Sequence, residues 1–315
     1  TTTTNAVAYS ASKTPSATEA AQIQVNLRNA DGSTIAASNE DNTISITVTG
    51  PGYVAWLSTA ANEANTTACA ATTAAITYSA LIGRSVSAQA VDGLGYISVC
   101  ADGTAGTSTI TTNITNAAGV TTLLATHTVV FYSTVAALSL AKSNYLIGTA
   151  GGGTTGATTA TAARTITTAP AFVIAAKDAS GILANTSAAP TIVGDGIIVA
   201  SGTCVIDAGN ATYGMGTVGY YNCNYVTTSS AKSGDKSTIT VRIVDPLDST
   251  AYITTTVAIT IGGSVAKETI TFGADAYDVG AEMSITITAT DASGNPVADG
   301  KATPALTGNK AVGGA

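Results

Sequence analysis

The chain has 315 residues, 12 basic against 19 acidic side chains, and a formal net charge of −7. Charged residues make up 10% of it, well under the ~25% of an average soluble protein. The balance excludes nucleic-acid binding, which needs clustered Lys and Arg, and no apolar run approaches the ~18 residues of a transmembrane span.

The amino terminus, Thr1-Thr2-Thr3-Thr4-Asn5, is polar. It reads as a mature end left after removal of a signal peptide. Apolar segments then begin at Ala6, Ala137 and Thr269, at nearly equal intervals. Each is followed by an extended run that ends in a turn closed by glycine: Gln22 to Gly32, Phe172 to Gly181, and Ile285 to Gly294. A segment that returns about every 130 residues means tandem domains. The boundaries are 1–134, 135–265 and 266–315, the last an incomplete repeat. The glycine-, alanine- and threonine-rich stretch from Gly148 to Thr168 reads as a loop inserted into the second repeat, where extra length costs little.

Strands dominate the pattern. Thr43 to Thr49 alternates cleanly and stops at Gly50-Pro51-Gly52. Thr238 to Val244 stops at Asp245-Pro246, Tyr252 to Ile261 stops at Gly262-Gly263, and Ser284 to Thr290 alternates isoleucine with threonine. Period-two runs of Ile, Val and Thr bounded by Gly, Pro or Asp are half-buried strands with a threonine face toward solvent. Helix signals are weak. The expectation is an all-β protein of tandem β-sandwich domains.

Ser284 to Gly300, with its Asp291-Ala292-Ser293-Gly294-Asn295-Pro296-Val297 turn, resembles the early strands of bacterial immunoglobulin-like domains of the invasin and intimin type. The turns closed by Gly32 and Gly181 match it more loosely, without the Asn-Pro. The resemblance implies immunoglobulin-like sandwiches of the kind found in adhesins, surface-layer proteins and cell-wall proteins.

Aligning the repeats sets Cys69 against Cys204 and Cys100 against Cys223. Four cysteines allow three pairings. The duplication favours bridges within each repeat, which belong in an oxidising, extracellular compartment; four buried free thiols are the alternative. Trp56 is expected in the core beside the first bridge.

No catalytic constellation is legible. His127 lies in a strand-like run with no Gly-x-Ser-x-Gly elbow. Gly151-x-Gly153-x-x-Gly156 lacks the strand and helix that a dinucleotide site needs. Two weaker signals remain. Asp275 and Asp278, near the second repeat boundary, are candidate calcium ligands, since calcium takes carboxylate and carbonyl oxygens; no other cofactor is expected. Tyr220, Tyr221 and Tyr225 are a candidate glycan-stacking patch. The expected function is that of a non-catalytic, secreted cell-surface subunit that self-associates into a sheet or filament. The alternatives are an adhesin stalk, or carbohydrate-binding accessory domains of a larger secreted protein.

Overall fold

A computed structural model describes residues 2–10, 21–28, 31–33, 42–57, 69, 82–89, 94–154, 166, 169–207, 215, 218–276, 278 and 280–299. Among them the protein is all-β, with several sheets and no helix. It divides into two compact units. The first comprises Thr1–Ala136 with Lys177–Asn185, and the second Ala137–Ala176 with Thr186–Ala315. The described residues of the third repeat thus fall within the second unit.

The first unit has strands β1 (Thr2–Ser10), β2 (Ala21–Asn26), β3 (Thr43–Thr49), β4 (Tyr53–Leu57), β5 (Ile82–Gly83), β6 (Ser85–Gln89), β7 (Leu94–Cys100), β8 (Gly106–Thr115) and β9 (Thr121–Tyr132). They form a five-stranded sheet, β1-β9-β8-β3-β6, and a four-stranded sheet, β2-β7-β4-β5. The period of two built into β3 sends Ile44, Ile46 and Val48 inward. They meet Val54 and Trp56 of β4, Ile97 and Val99 of β7, and Ile110, Val129 and Phe131 of β8 and β9. Both sheets feed one apolar cluster, so they stack face to face. Each fully buried Val, Ile or Phe there contributes about 1.5–3 kcal/mol.

The second unit has β10 (Val135–Ser143), β11 (Ile147–Thr149), β12 (Gly153–Thr154), β13 (Phe172–Asp178), β14 (Thr191–Val193), β15 (Val199–Ile206), β16 (Tyr220–Thr227), β17 (Lys236–Asp245), β18 (Asp248–Gly262), β19 (Lys267–Phe272) and β20 (Ile285–Thr290). Its main path runs β10-β13-β16-β15-β14-β17-β18-β11, with β12 paired to β16 and β19-β20 forming a separate hairpin. Ile239, Val241 and Ile243 of β17 and Val257, Ile259 and Ile261 of β18 are buried, while Thr238, Thr254 and Thr256 face solvent. The threonine face expected of these strands is present.

Strand for strand, the two units repeat one plan. β2 pairs β7 as β13 pairs β16, and β3 pairs β8 as β14 pairs β17. β8 and β9 form a hairpin as β17 and β18 do. A short early strand runs parallel to the last strand in each, β1 along β9 and β11 along β18. The crossing between sheets passes through Gly50-Pro51-Gly52 in one and Gly194-Asp195-Gly196 in the other. A single bridge, Thr191 to Thr203, joins β14 to β15 and makes the second unit's sheets one continuous path.

Two expectations need correction. The Gly148–Thr168 stretch does not begin as a loop: Gly148 is buried in β11, where Thr227, Ile261 and Tyr225 crowd its α-carbon, and β12 follows. The described part of the stretch otherwise reduces to turn residues and Ile166. The three apolar segments also diverge in pairing. β10 joins β13 and β19 joins β20, but β1 joins β9.

Candidate functional site

Two of the three recurrent turns are built alike, with the aspartate three residues before the closing glycine (Asp178 and Gly181, Asp291 and Gly294), whereas Asp31 directly precedes Gly32. Asp31 Oδ1 accepts the Ser33 N–H at 2.9 Å. Asp178 Oδ1 accepts from Ser180 and Ile182, both at 2.9 Å, and Asp291 Oδ1 from Ser293 at 2.9 Å and Asn295 at 2.8 Å. The closing glycines Gly32, Gly181 and Gly294 have φ of 87°, 81° and 81°, a conformation that a side chain resists. An aspartate satisfying the amides of its own turn is the physical reason the sequence signal recurs.

Several other carboxylates are used in the same way. Asp102 caps Thr104, Asp245 caps Leu247, and Asp248 caps Thr250. Asp195 accepts from Ile197, Ile198 and Val199 at 2.7–2.9 Å and from Ser237 Oγ at 2.6 Å. Partial burial pushes the Asp195 carboxyl up, but these donors outweigh it and hold it at about 2. The hydrogen bonds of Asp31 and Asp248 to their turn residues likewise keep them below the usual carboxylate range. Burial lowers His127, which sits in β9 opposite Ile110. These are ionised turn caps and a strand histidine; none is a proton donor poised near neutrality.

Asp275 and Asp278 are both exposed, and among the described residues no three His, Cys, Asp or Glu side chains gather as metal ligands would. The tyrosine patch is corrected. Tyr221 is 2% exposed, with its hydroxyl accepting the Thr186 N–H at 2.7 Å, and Tyr225 is fully buried. Only Tyr220 of the three reaches partial exposure, so no sugar could stack across them. Strand alternation places Tyr221 and Tyr225 on the same inward face of β16.

The cysteines pair within repeats, Cys69 to Cys100 and Cys204 to Cys223. Their positions are not equivalent, which corrects the alignment that set Cys100 against Cys223. Ile23 and Phe172 stand nine positions before their turn glycines, Gly32 and Gly181; Ile23 lies opposite Ile97, and Phe172 opposite Cys223. Cys223 therefore corresponds to Ile97. The first bridge packs with Tyr53 and Ala55 on the outer face of its sheet, while Trp56 sits on the inner face over Gly95. Trp56 is a core residue, but the sheet separates it from the bridge. The second bridge joins directly opposed residues of β15 and β16. It shares the inward face of Tyr221 and Tyr225.

No sequence motif marks a concave site at Arg242, whose buried Nε has no hydrogen-bond partner among the described residues. A pocket of about 380 Å³ is lined by residues 186–189, Thr191, Arg242 to Val244, Pro246 and Tyr252. Arg242 lies over the Tyr252 ring, 4.2 Å from its centroid. The one sequence cue is an arginine on the outward face of a strand otherwise bearing threonines.

No known family's sequence profile matches the chain, and no curated protein does. Among solved structures, a β-glycosidase from Bacteroides vulgatus is 14% identical over 76% of this chain and 24% of its own, with a TM-score of 0.23. The chain thus spans about a quarter of that enzyme. The C-terminal domain of the Streptococcus agalactiae AgI/II polypeptide BspA is 8% identical over 76% of this chain and 99% of its own, at 0.20. Extracellular domains 3–5 of Drosophila OTK are 9% identical over 81% and 63%, at 0.19. Scores this low do not establish a shared fold, and the function is argued from this chain's own residues.

Proposed function

We propose that the protein is a non-catalytic, secreted structural subunit of a cell-surface layer or wall assembly. It is built of tandem immunoglobulin-like sandwiches with repeats at 1–134, 135–265 and from 266 onward. The observation that carries the reading is the repeated plan itself. A parallel pairing of an early strand with the last and a sheet crossing at Gly-x-Gly occur in the first two repeats, and the same aspartate-capped turn in the second and third. Modular repetition of that kind serves scaffolding. Carboxylates consumed by turn amides and a neutral, threonine-bearing surface support it. Two disulfides support an oxidising, extracellular setting.

Self-association is supported by the β19–β20 hairpin. Ile270, Phe272 and Ile285 on it, with Met283 beside it, are 40–56% exposed. A two-stranded ribbon is marginal alone and has open edges. Negative-stain imaging of the purified protein, with calcium and with chelator, tests the reading. Ordered sheets or filaments support an assembling subunit, and their loss in chelator would assign calcium to the contacts. Dispersed slender rods in both conditions would overturn it in favour of an adhesin stalk.

A further inference from the structure

We propose that the Arg242–Tyr252 pocket binds the carboxylate of an acidic sugar. Arg242 projects from the outward face of β17, between Thr191 of β14 and Thr254 of β18. Its guanidinium rests on the Tyr252 ring, and its buried Nε has no hydrogen-bond partner. A buried donor left unsatisfied is costly, more so when charged, so such a group calls for an acceptor. The described residues supply none. The ion pair formed among the described residues is Arg84 with Asp102, at 2.7 Å. Asp245 and Asp248, at the near end of the hairpin, are turned to the amides of Leu247 and Thr250.

The guanidinium fork matches a carboxylate bidentately, and stacking on Tyr252 fixes its plane before a ligand arrives. The pocket's volume lies within the range of small-molecule sites. Its walls combine an apolar floor of Tyr252, Pro246 and Val244 with the hydroxyl residues Thr186, Ser187 and Thr191. An apolar floor, a polar rim and one fixed cation suit a pyranose with a ring carboxylate better than an acidic peptide side chain, which has no hydroxyls to offer the rim. The assignment does not depend on how the subunit assembles.

The test is an NMR titration of the isotope-labelled full chain with sodium glucuronate, D-glucose and N-acetyl-L-glutamate. The expected result is saturable shifts with glucuronate at Thr191, Val244 and Tyr252, and none with glucose. Affinity should fall at least about tenfold in Arg242→Gln and also in Tyr252→Leu, with unchanged spectra elsewhere certifying the fold. Equal response to glucose, no response to glucuronate, or glucuronate shifts that survive Arg242→Gln would overturn the proposal. So would N-acetyl-L-glutamate binding as tightly as glucuronate, which would assign a general carboxylate site.

Discussion

The two units solve one packing problem in two ways. In each, two adjacent strands of one sheet must be locked together at the middle of the core. In the first unit, Trp56 of β4 lies across Gly95 of β7, and the glycine has no side chain to obstruct it. In the second, Cys223 stands where Ile97 does, and it is bridged to Cys204, which lies opposite it as Trp56 lies opposite Ile97. One lock is a large aromatic surface over a void left for it; the other is covalent. The first unit also has a disulfide, but on the outer face, where Cys69 is bridged to Cys100 of β7. The same plan therefore accepts different cores, provided that this inner position is filled.

Trp56→Ala breaks the comparison most severely. It removes the largest inner side chain of the first unit and should cost that unit about 3–5 kcal/mol. Calorimetry should show its transition fall while that of the second unit stays in place. Replacing both Cys204 and Cys223 by alanine comes next, at about 3 kcal/mol from loop closure plus the cavity opened in the core. The matching change at Cys69 and Cys100 removes a similar loop-closure term. It should leave Trp56 emission where it was, because the sheet stands between them. A red-shifted emission would put the bridge back beside the tryptophan.

These differences mark where sequence reading succeeds and fails. The strands at 43–49, 238–244 and 285–290 were legible because alternation is a local property and each run ends at Gly, Pro or Asp. The Asp-x-x-Gly turns were legible because their hydrogen bonds are made within five residues. Inside and outside were harder. Gly95-Tyr96 and Gly219-Tyr220 look alike, each followed by a cysteine. Pairing register, a non-local property, nevertheless sends Cys100 outward and Cys223 inward. The same blindness made Tyr221 and Tyr225 resemble a surface patch. Arg242 was missed because its meaning depends on Tyr252 across a hairpin and on a missing acid.

Gly95→Ala sharpens the first lock. A β-carbon there would come within 2.1 Å of the Trp56 ring, so the indole must move. The expected cost is about 1–3 kcal/mol. Most of it should return when Trp56→Phe is added, since the smaller ring vacates the space. A double-mutant cycle by urea unfolding measures that coupling; additive losses would mean that the two residues do not meet.

The smallest effect tests the crossing turn, where Asp195 takes the place that Pro51 has in the first unit. Proline fixes its turn through its ring, whereas aspartate must stay ionised to hold three amides and Ser237. Burial raises the Asp195 carboxyl, but the donors bring it to about 2 in the folded protein, below the ~3.9 of an unfolded chain. A group depressed on folding contributes stability that is complete above its unfolded value and lost as pH falls through its folded one. The second unit should therefore weaken between about pH 4 and pH 2. Asp195→Asn should flatten that part of its pH dependence and lower its stability at neutral pH. Asp195 is solvent-exposed, so screening keeps the change small. The Pro51 turn carries no acid of its own, but beside it burial raises Asp102 while the Gly52 amide, from which it accepts, helps to hold it below its usual range. The signature that separates the two crossings is therefore an acid dependence of the second unit that Asp195→Asn flattens while that of the first unit stays.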